Sequence, residues 1–175
     1  MEKVVVFDLD GVLVDNSKRL KRSLEEVGAS SLASLRGKQR EKFWSIFLSD
    51  KHIDLDEPIY ENIEKARKYK EEGYKVVVVT GRPSTMRKRT LVQLRAFGVP
   101  FDEIMFRERG DYRKVWQYKV EALRGLGNVV AFYDDEEEVL MRVKSSFPNV
   151  KCYLCRGSKI VEYSPKNLLS YFNGP

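Results

Sequence analysis

Histidine and cysteine are scarce in this sequence of 175 residues, which contains one histidine and two cysteines. Cys152 and Cys155 form a CxxC motif in the segment VKCYLC, and His52 is far from them in sequence. A structural zinc site would need two further nitrogen or sulfur ligands, so the motif alone does not indicate zinc. Its alternating pattern favours a late strand that carries two thiols, and a disulfide or a redox pair are the alternatives.

Long apolar runs are also absent. No segment approaches the length of a membrane span, and no apolar targeting region follows the first residues, MEKVVVF. We therefore expect a soluble, cytoplasmic protein that does not bind membranes. The sequence has no phosphate-binding loop of the GxxxxGK type, so any 5′-kinase activity would require another chain.

Charged residues are abundant by contrast, at 33% of the sequence and with a formal net charge of +6. This positive charge suits a phosphate-bearing or nucleic-acid partner, and it would equally suit a heat-adapted surface. The chain is long enough for one domain with a hydrophobic core and too short for two domains of ordinary size.

The segment VVVFDLDGVLVD, residues 4–15, joins an apolar run to two carboxylates. Its first four residues have no polar face, which indicates a strand buried on both sides in a parallel sheet. Alternate side chains of an extended chain share one face, so Asp8 and Asp10 are expected to point the same way, and Gly11 lets the backbone turn. A cation, a phosphate or both could bind there, with a simple turn as the alternative. A calcium loop of the EF-hand type is excluded because apolar residues follow Gly11.

Apolar strands alternate with helical patterns in the rest of the chain, which indicates βαβ units. Strands are predicted at 75–80, 103–106, 128–133 and 150–154, and helices at 58–72, 83–97, around 116–124 and 136–146, with a last short helix opening at Pro165. We predict an α/β fold, a Rossmann-like three-layer sandwich around a mainly parallel sheet. Residues 1–15 and 58–175 would form the core domain, and residues 16–57 a small helical cap inserted after the first strand.

Two helices are predicted within this insertion. The first has apolar residues at helical spacing, Leu20, Leu24 and Val27, and ends near Gly28. The second covers about 38–48 and carries Phe43, Trp44 and Phe47 on one face. These aromatic residues could belong to the core, or they could face the crevice and stack on a base.

Three of the predicted strands end in side chains that could bind a cation or a phosphate. Asp8 and Asp10 follow the first strand, Thr80 ends the second, and Asp134 and Asp135 end a later one. The carboxyl ends of parallel strands lie on one edge of the sheet, so these groups should converge. Carboxylates so close together need a compensating charge, and an oxygen-only ligand set favours Mg²⁺.

In this order, the motifs DLDGVLVD, VVVVTGR, a lysine within a helix, and FYDD resemble the four motifs of the haloacid dehalogenase (HAD) superfamily of phosphohydrolases. The resemblance spans about residues 4–140. Within the superfamily, the segments TGRPS and RERGDYRKVWQYK are similar to the phosphatase domain of polynucleotide kinase/phosphatase proteins. The register of that domain favours Lys119 over Lys114 as the motif lysine.

The resemblance implies a role for each motif residue. Asp8 would be the nucleophile that forms an aspartyl-phosphate, and Asp10 would be the general acid and base. Thr80 would donate a hydrogen bond to a phosphoryl oxygen, and Lys119 would neutralise the charge on the transferring group. Mg²⁺ would be bound by Asp8, the backbone carbonyl of Asp10, and Asp135, with Asp134 assisting through water.

Four further residues are candidates for binding the substrate: Gly81, Arg82, Asp111 and Arg113. Arg82, directly after the hydroxyl motif, is the best placed to grip a phosphate. The leading hypothesis is a Mg²⁺-dependent phosphomonoesterase that removes a terminal 3′-phosphate from polynucleotides. One alternative is the same chemistry on a small phosphorylated metabolite or nucleotide, and the other is a catalytically idle module that binds phosphate or docks a partner.

Overall fold

The computed structural model describes residues 1–165. Its eight strands are β1 Val4–Phe7, β2 Val14–Asp15, β3 Glu57–Pro58, β4 Lys75–Pro83, β5 Glu103–Arg107, β6 Val129–Asp134, β7 Lys151–Arg156 and β8 Lys159–Glu162. Its six α-helices are α1 Ser17–Glu26, α2 Gly37–Phe47, α3 Tyr60–Glu71, α4 Arg87–Phe97, α5 Val115–Gly125 and α6 Glu137–Ser146. The last short helix predicted at Pro165 falls largely outside the described residues.

Six strands form a central sheet in the order β5-β4-β1-β6-β7-β8. Neighbouring strands are parallel throughout, except for β8, which pairs with β7 in the antiparallel direction. Helices pack on both faces, so the prediction of a Rossmann-like α/β sandwich is confirmed. Strand β1 is central because its four apolar residues suit burial on both sides.

The alternation of side chains in β1 divides the hydrophobic core into two clusters. Val4 and Val6 pack on one face with residues of α5 and α6, including Leu123 and Leu140. Val5 and Phe7 pack on the other face with residues of α3 and α4. The buried thiols of β7 follow the same rule, since Cys152 belongs to the first cluster and Cys155 to the second. Both cysteines are free, and their placement on opposite faces excludes a disulfide between them.

Several elements differ from the prediction. Strand β4 continues beyond Thr80 to Pro83. Strand β8 was not predicted, because it is a short edge strand that follows a tight turn at Gly157 and is only half-buried. Pro58 does not open a helix: it lies in β3, which pairs with Val14 of β2, and α3 begins two residues later.

Residues 16–56 lie between β2 and β3 and contain α1, α2 and two 3₁₀ turns, Leu32–Ser34 and Asp50–Leu55. Helix α1 is rotated by about one residue from the orientation that its apolar residues predict. Its buried side chains are Arg19 and Ser23, whereas Leu20 and Leu24 are only half-buried. The reason is electrostatic, since Arg19 forms buried ion pairs with acidic residues of the site described below.

Within residues 1–165, no helix combines the length and the hydrophobicity that crossing a bilayer would require.

Candidate active site

Three of the predicted site residues lie at or near the carboxyl ends of three adjacent strands, β4, β1 and β6. Asp8 follows β1 directly, Thr80 lies in β4, and Asp134 is the last residue of β6. All three are buried. Beside them lies a cavity of about 570 Å³, whose lining includes Asp8, Asp10 and Asp135. The site therefore occupies the edge of the sheet where α/β proteins bind ligands.

Lys119 supplies a buried positive charge to this edge. Its Nζ lies 2.6 Å from Asp134 Oδ2 and 3.2 Å from Asp8 Oδ2. Burial by itself lowers the pKa of Lys119, but the charges of Asp134 and Asp8 outweigh that effect and raise the pKa above its ordinary value. Lys119 is therefore a permanent cation beside Asp8, whereas Lys114 is exposed where α5 begins.

Three carboxylates surround this single lysine. One oxygen each of Asp8, Asp134 and Asp135 lies within 4.8 Å of the others. Burial raises the pKa of Asp8 well above its ordinary value; Lys119 opposes this rise, and Asp134 and Asp135 add to it. Burial and the neighbouring Asp134 raise the pKa of Asp135 to about 6. A hard divalent cation bound by these oxygens would relieve the repulsion, so the donor set fits such an ion.

Gly11 lets Asp135 approach the turn after β1. Its φ is +82°, in the left-handed region, and an added Cβ would lie 2.2 Å from Asp135 Oδ2. Both the backbone conformation and the lack of a side chain are therefore required at this position.

Gly11→Ala is expected to lower phosphatase activity by about 10²-fold, because the methyl group displaces a carboxylate of the cluster by the order of an ångström. Gly73→Ala is the matched control: Gly73 has a similar φ of +85° and nothing within 4 Å of an added Cβ. It should reproduce the backbone strain and leave activity near that of the wild type. Equal loss of activity in both variants would show that strain, rather than contact with Asp135, limits position 11.

The Asp10 side chain lines the cavity but does not join the three-carboxylate cluster. Its Oδ1 accepts hydrogen bonds from Arg19 at 2.7 Å and from Arg82 at 2.6 Å, and its Oδ2 accepts one from Arg82 Nε at 2.9 Å. Burial raises the pKa of Asp10, but Arg82 and Arg19 outweigh burial and lower the pKa to about 2. Asp10 is therefore ionised in the free protein.

The substrate-binding candidates are not all at the cavity. Gly81 and Arg82 line it, but Arg82 is buried and donates to Asp10, Asp56, Thr90 and Gln93. Its N–H groups are thus already committed, which leaves none for gripping a phosphate. Asp111 and Arg113 form an ion pair with each other at 2.6 Å and do not line the cavity.

Arg107, which the sequence analysis missed, lines the cavity from the end of β5. It donates a hydrogen bond to the backbone carbonyl of Arg113. Its buried Nε has no hydrogen-bond partner among the described residues. A correct prediction of where β5 ends would have identified Arg107. The strand ends at this residue, one position later than predicted, and lies beside the carboxyl end of β4.

Part of the cavity lining is apolar, and we call this part the apolar wall. It is formed by Leu20, Leu32, Trp44, Phe47, Leu48 and Val115. The aromatic residues of α2 divide between the two predicted positions, the core and the crevice. Phe43 is fully buried in the protein, and Trp44 and Phe47 line the cavity. Trp44 packs edge-on against both phenylalanines and remains 36% exposed.

Thr80 does not line the cavity in this structure. Its Oγ1 accepts a hydrogen bond from the backbone N–H of Arg82 at 3.1 Å, which leaves the hydroxyl hydrogen available for donation.

Solved structures share this fold. Two structures of the Pnkp1/Rnl/Hen1 complex, one described as an RNA repair complex, match with TM-scores of 0.65 and 0.63 at 23% and 22% identity. Each covers 88% of this chain, which spans less than half of the matched chains, 46% and 42%. A predicted phosphatase from Clostridium acetobutylicum matches with a TM-score of 0.63 at 17% identity, over 87% of this chain and 83% of its own. No curated protein sequence gives a significant match.

The family model of the HAD superfamily, subfamily IIIB (acid phosphatase), matches residues 1–129. This range contains the DLDGVLVD motif, the TGR motif and Lys119, and it confirms the resemblance on which the sequence analysis relied. The chain belongs to the HAD superfamily, and the model that it matches is that of the acid phosphatase subfamily IIIB.

Proposed function

We propose that this protein is a phosphatase that depends on Mg²⁺ and forms a covalent aspartyl-phosphate on Asp8. The observation that carries the proposal is the meeting of a buried carboxylate after β1, two further carboxylates at the end of β6 and a buried lysine of α5. A carboxylate can act as a nucleophile toward phosphorus when the charge on the transferring group is neutralised. Lys119 supplies part of that neutralisation, and a cation held by the acidic cluster would supply the rest.

The reaction would proceed in two displacements. In the first, a bond forms between a carboxylate oxygen of Asp8 and phosphorus while the bond from phosphorus to the leaving oxygen breaks, and Asp10 passes a proton to that oxygen. In the second, water attacks phosphorus, Asp10 accepts its proton, and the Asp8–phosphorus bond breaks. Asp10 is ionised in the free protein, so the first step needs a proton, and the phosphate monoester, with a second pKa of about 6, can bring one.

Other groups would assist the transfer. Lys119 would offset the charge on Asp8 and on the phosphoryl oxygens, and the Thr80 hydroxyl would donate to one of those oxygens. Asp8, Asp135 and the backbone carbonyl of Asp10 would hold Mg²⁺, with Asp134 assisting through water. When bound, the ion would polarise the phosphoryl group and compensate the clustered carboxylates.

We further propose that residues 16–57 act as a small cap on a core formed by residues 1–15 and 58–175. Several residues of the apolar wall come from this segment, so the segment would contact the organic part of the substrate, to which the phosphate is attached. A wall that contains Trp44 and Phe47 suits a planar base, because aromatic side chains stack on bases of any sequence.

The leading substrate is therefore a terminal 3′-phosphate of a polynucleotide. The apolar wall, the net charge of +6 and the shared fold with a chain of an RNA repair complex all favour a nucleic-acid end. A small phosphorylated metabolite or nucleotide is the second candidate, and the size of the cavity, about 570 Å³, favours it because a single nucleotide unit can be enclosed there.

Phosphate release from matched substrates tests this proposal. The series comprises one oligonucleotide with a 3′-phosphate, the same oligonucleotide with a 5′-phosphate, the corresponding mononucleotides and a set of small esters. Each substrate is assayed with Mg²⁺ and after chelation with EDTA. We expect release from the 3′-phosphate that stops on chelation and returns with Mg²⁺. Release from mononucleotides or small esters alone would overturn the polynucleotide substrate and support the second candidate.

Trp44→Ala is expected to raise KM for the nucleotide substrate by about 10-fold, since stacking on one base is worth about 1–3 kcal/mol. Hydrolysis of a small aliphatic phosphate should change much less, because that substrate has no base to stack. Tyr60→Ala is the matched control, as Tyr60 is an exposed aromatic residue that does not line the cavity. If Trp44→Ala impairs both substrates equally, the wall does not bind a base.

A further inference from the structure

A second buried charged cluster, formed by Arg19, Arg82 and Asp56, contacts the Asp10 carboxylate. Arg19 Nε donates to Asp56 Oδ1 at 2.9 Å, and Arg82 donates to Asp56 Oδ2 at 2.9 Å. The same two guanidinium groups donate to Asp10. Two positive and two negative charges thus form a closed arrangement in which each arginine bridges both aspartates.

The cluster contacts both oxygens of the Asp10 carboxylate, but with different numbers of hydrogen bonds. Oδ1 accepts from both arginines, whereas Oδ2 accepts a single hydrogen bond, from Arg82. The Asp10 side chain is 22% exposed and lines the cavity, although the arginines that hold it are at most 1% exposed. The carboxylate is therefore fixed in rotation while one oxygen keeps a lone pair for a partner in the cavity.

Asp56 does not line the cavity that contains Asp8, and its side chain is fully buried. Its contacts are with Arg19, Arg82 and Gln93, whose Nε2 lies 3.1 Å from Asp56 Oδ2. Gln93 also accepts a hydrogen bond from Arg82 and donates one to the backbone carbonyl of Ile53. Among residues 1–165, no hydrogen bond joins Asp56 directly to Asp10, and the hydrogen-bonded link between them runs through the two arginines.

The cluster also connects two parts of the chain. Arg19 and Asp56 come from residues 16–57, whereas Asp10 and Arg82 come from the ends of β1 and β4. Arg19 is further held by α2, where it donates to the Phe47 carbonyl at 3.2 Å and stacks on the Phe47 ring at 4.7 Å. The orientation of Asp10 is thus tied to the docking of the helical segment.

We propose that Asp56 and Arg19 are positioning residues for the acid–base step: they fix Arg82, and through it Asp10, so that Asp10 Oδ2 faces the leaving oxygen. This inference rests on the proposed function, in which Asp10 exchanges a proton with the leaving group. It also assigns Arg82 to orienting Asp10 in place of gripping the substrate phosphate.

The leaving group provides the test. An aryl ester such as 4-nitrophenyl phosphate leaves as a stable anion and needs little help from an acid, whereas an alkyl ester such as glycerol 2-phosphate needs protonation. The parameter is kcat/KM, which reports the first displacement. In Asp56→Asn we expect kcat/KM for the alkyl ester to fall by about 10²-fold, the lower range for a general acid, and kcat/KM for the aryl ester by less than about 3-fold.

Asp54→Asn is the matched control, because Asp54 lies two residues away and forms an exposed ion pair with Arg89. It should leave both esters unaffected. Arg19→Lys should resemble Asp56→Asn, since an ammonium group cannot bridge two aspartates as the Arg19 fork does. An equal fall for both esters in a folded Asp56→Asn protein would overturn the proposal, as would no fall for either.

If Asp56→Asn does not fold, the two esters can be compared with Gln93→Ala, which removes a neutral side chain from the same cluster. We expect kcat/KM for the alkyl ester to fall more than kcat/KM for the aryl ester, but by less than in Asp56→Asn. Equal loss on both esters in Gln93→Ala would contradict the proposal. Failure of the proposed function is distinguishable, because wild-type protein would then hydrolyse neither ester with Mg²⁺, or Asp8→Asn would retain full activity.

Discussion

Asp8→Asn is expected to lower phosphomonoester hydrolysis by about 10⁴-fold or more, because the amide cannot attack phosphorus and the two-step route is lost. The substitution should not destabilise the protein. Burial raises the pKa of Asp8 well above its ordinary value, so the ionised carboxylate is costly to bury, and a neutral amide of the same shape removes that cost. Lys119 keeps its closer partner, Asp134, at 2.6 Å.

Phosphate release and thermal unfolding of the purified variant measure the two effects together. Asp54→Asn, the same change at an exposed carboxylate, controls for the loss of one negative charge. A folded Asp8→Asn protein that hydrolyses the ester within about 10-fold of the wild-type rate would exclude Asp8 as the nucleophile.

Lys119→Met is expected to lower both activity and stability. Removing the cation takes away charge stabilisation of the transferring phosphoryl group, which we expect to lower kcat by about 10²–10³-fold. It also leaves the buried Asp8 and Asp134 without their lysine partner, and breaking a buried pair from one side costs about 3–5 kcal/mol of unfolding free energy.

Lys114→Met is the matched control, since Lys114 is the other lysine of the same motif region and is exposed. It should retain wild-type kcat and unfolding free energy, measured by chemical denaturation. Loss of activity in Lys114→Met with retention in Lys119→Met would reverse the assignment of the motif lysine.

The sheet and the acidic cluster could be predicted because their determinants are local. Apolar strands that end in Asp8, Thr80 or Asp134 are readable as short patterns, and the parallel topology brings their ends together. The roles of these residues came from the ordered resemblance to the HAD superfamily, not from the patterns themselves.

The orientation of α1 could not be predicted in this way. Periodicity places Leu20 and Leu24 toward the protein, but two acidic residues distant in sequence, Asp10 and Asp56, draw Arg19 inward. Leu20 then contributes to the cavity wall. A charged partner outside the helix leaves no trace in helical spacing, so tertiary ion pairing overrides the amphipathic pattern.

The contacts of Arg82 and Arg107 also could not be predicted from the sequence. Arg82 was expected to grip a phosphate because it follows the hydroxyl motif, yet in the structure its donors are used by Asp10, Asp56, Thr90 and Gln93. Arg107, which lines the cavity and whose Nε has no hydrogen-bond partner within residues 1–165, lies in a charged segment where no spacing distinguishes it from its neighbours.

The most direct test of the account is to trap the covalent intermediate. The reaction of wild-type protein with excess substrate and Mg²⁺ is quenched in acid within the first turnover, and the phosphoryl group is located by peptide mass spectrometry. We predict a phosphorylated peptide that contains Asp8 and its absence in Asp8→Asn. A phosphoryl group on another residue, or burst-free turnover with no phosphorylated peptide at any quench time, would contradict the proposal that Asp8 is the nucleophile.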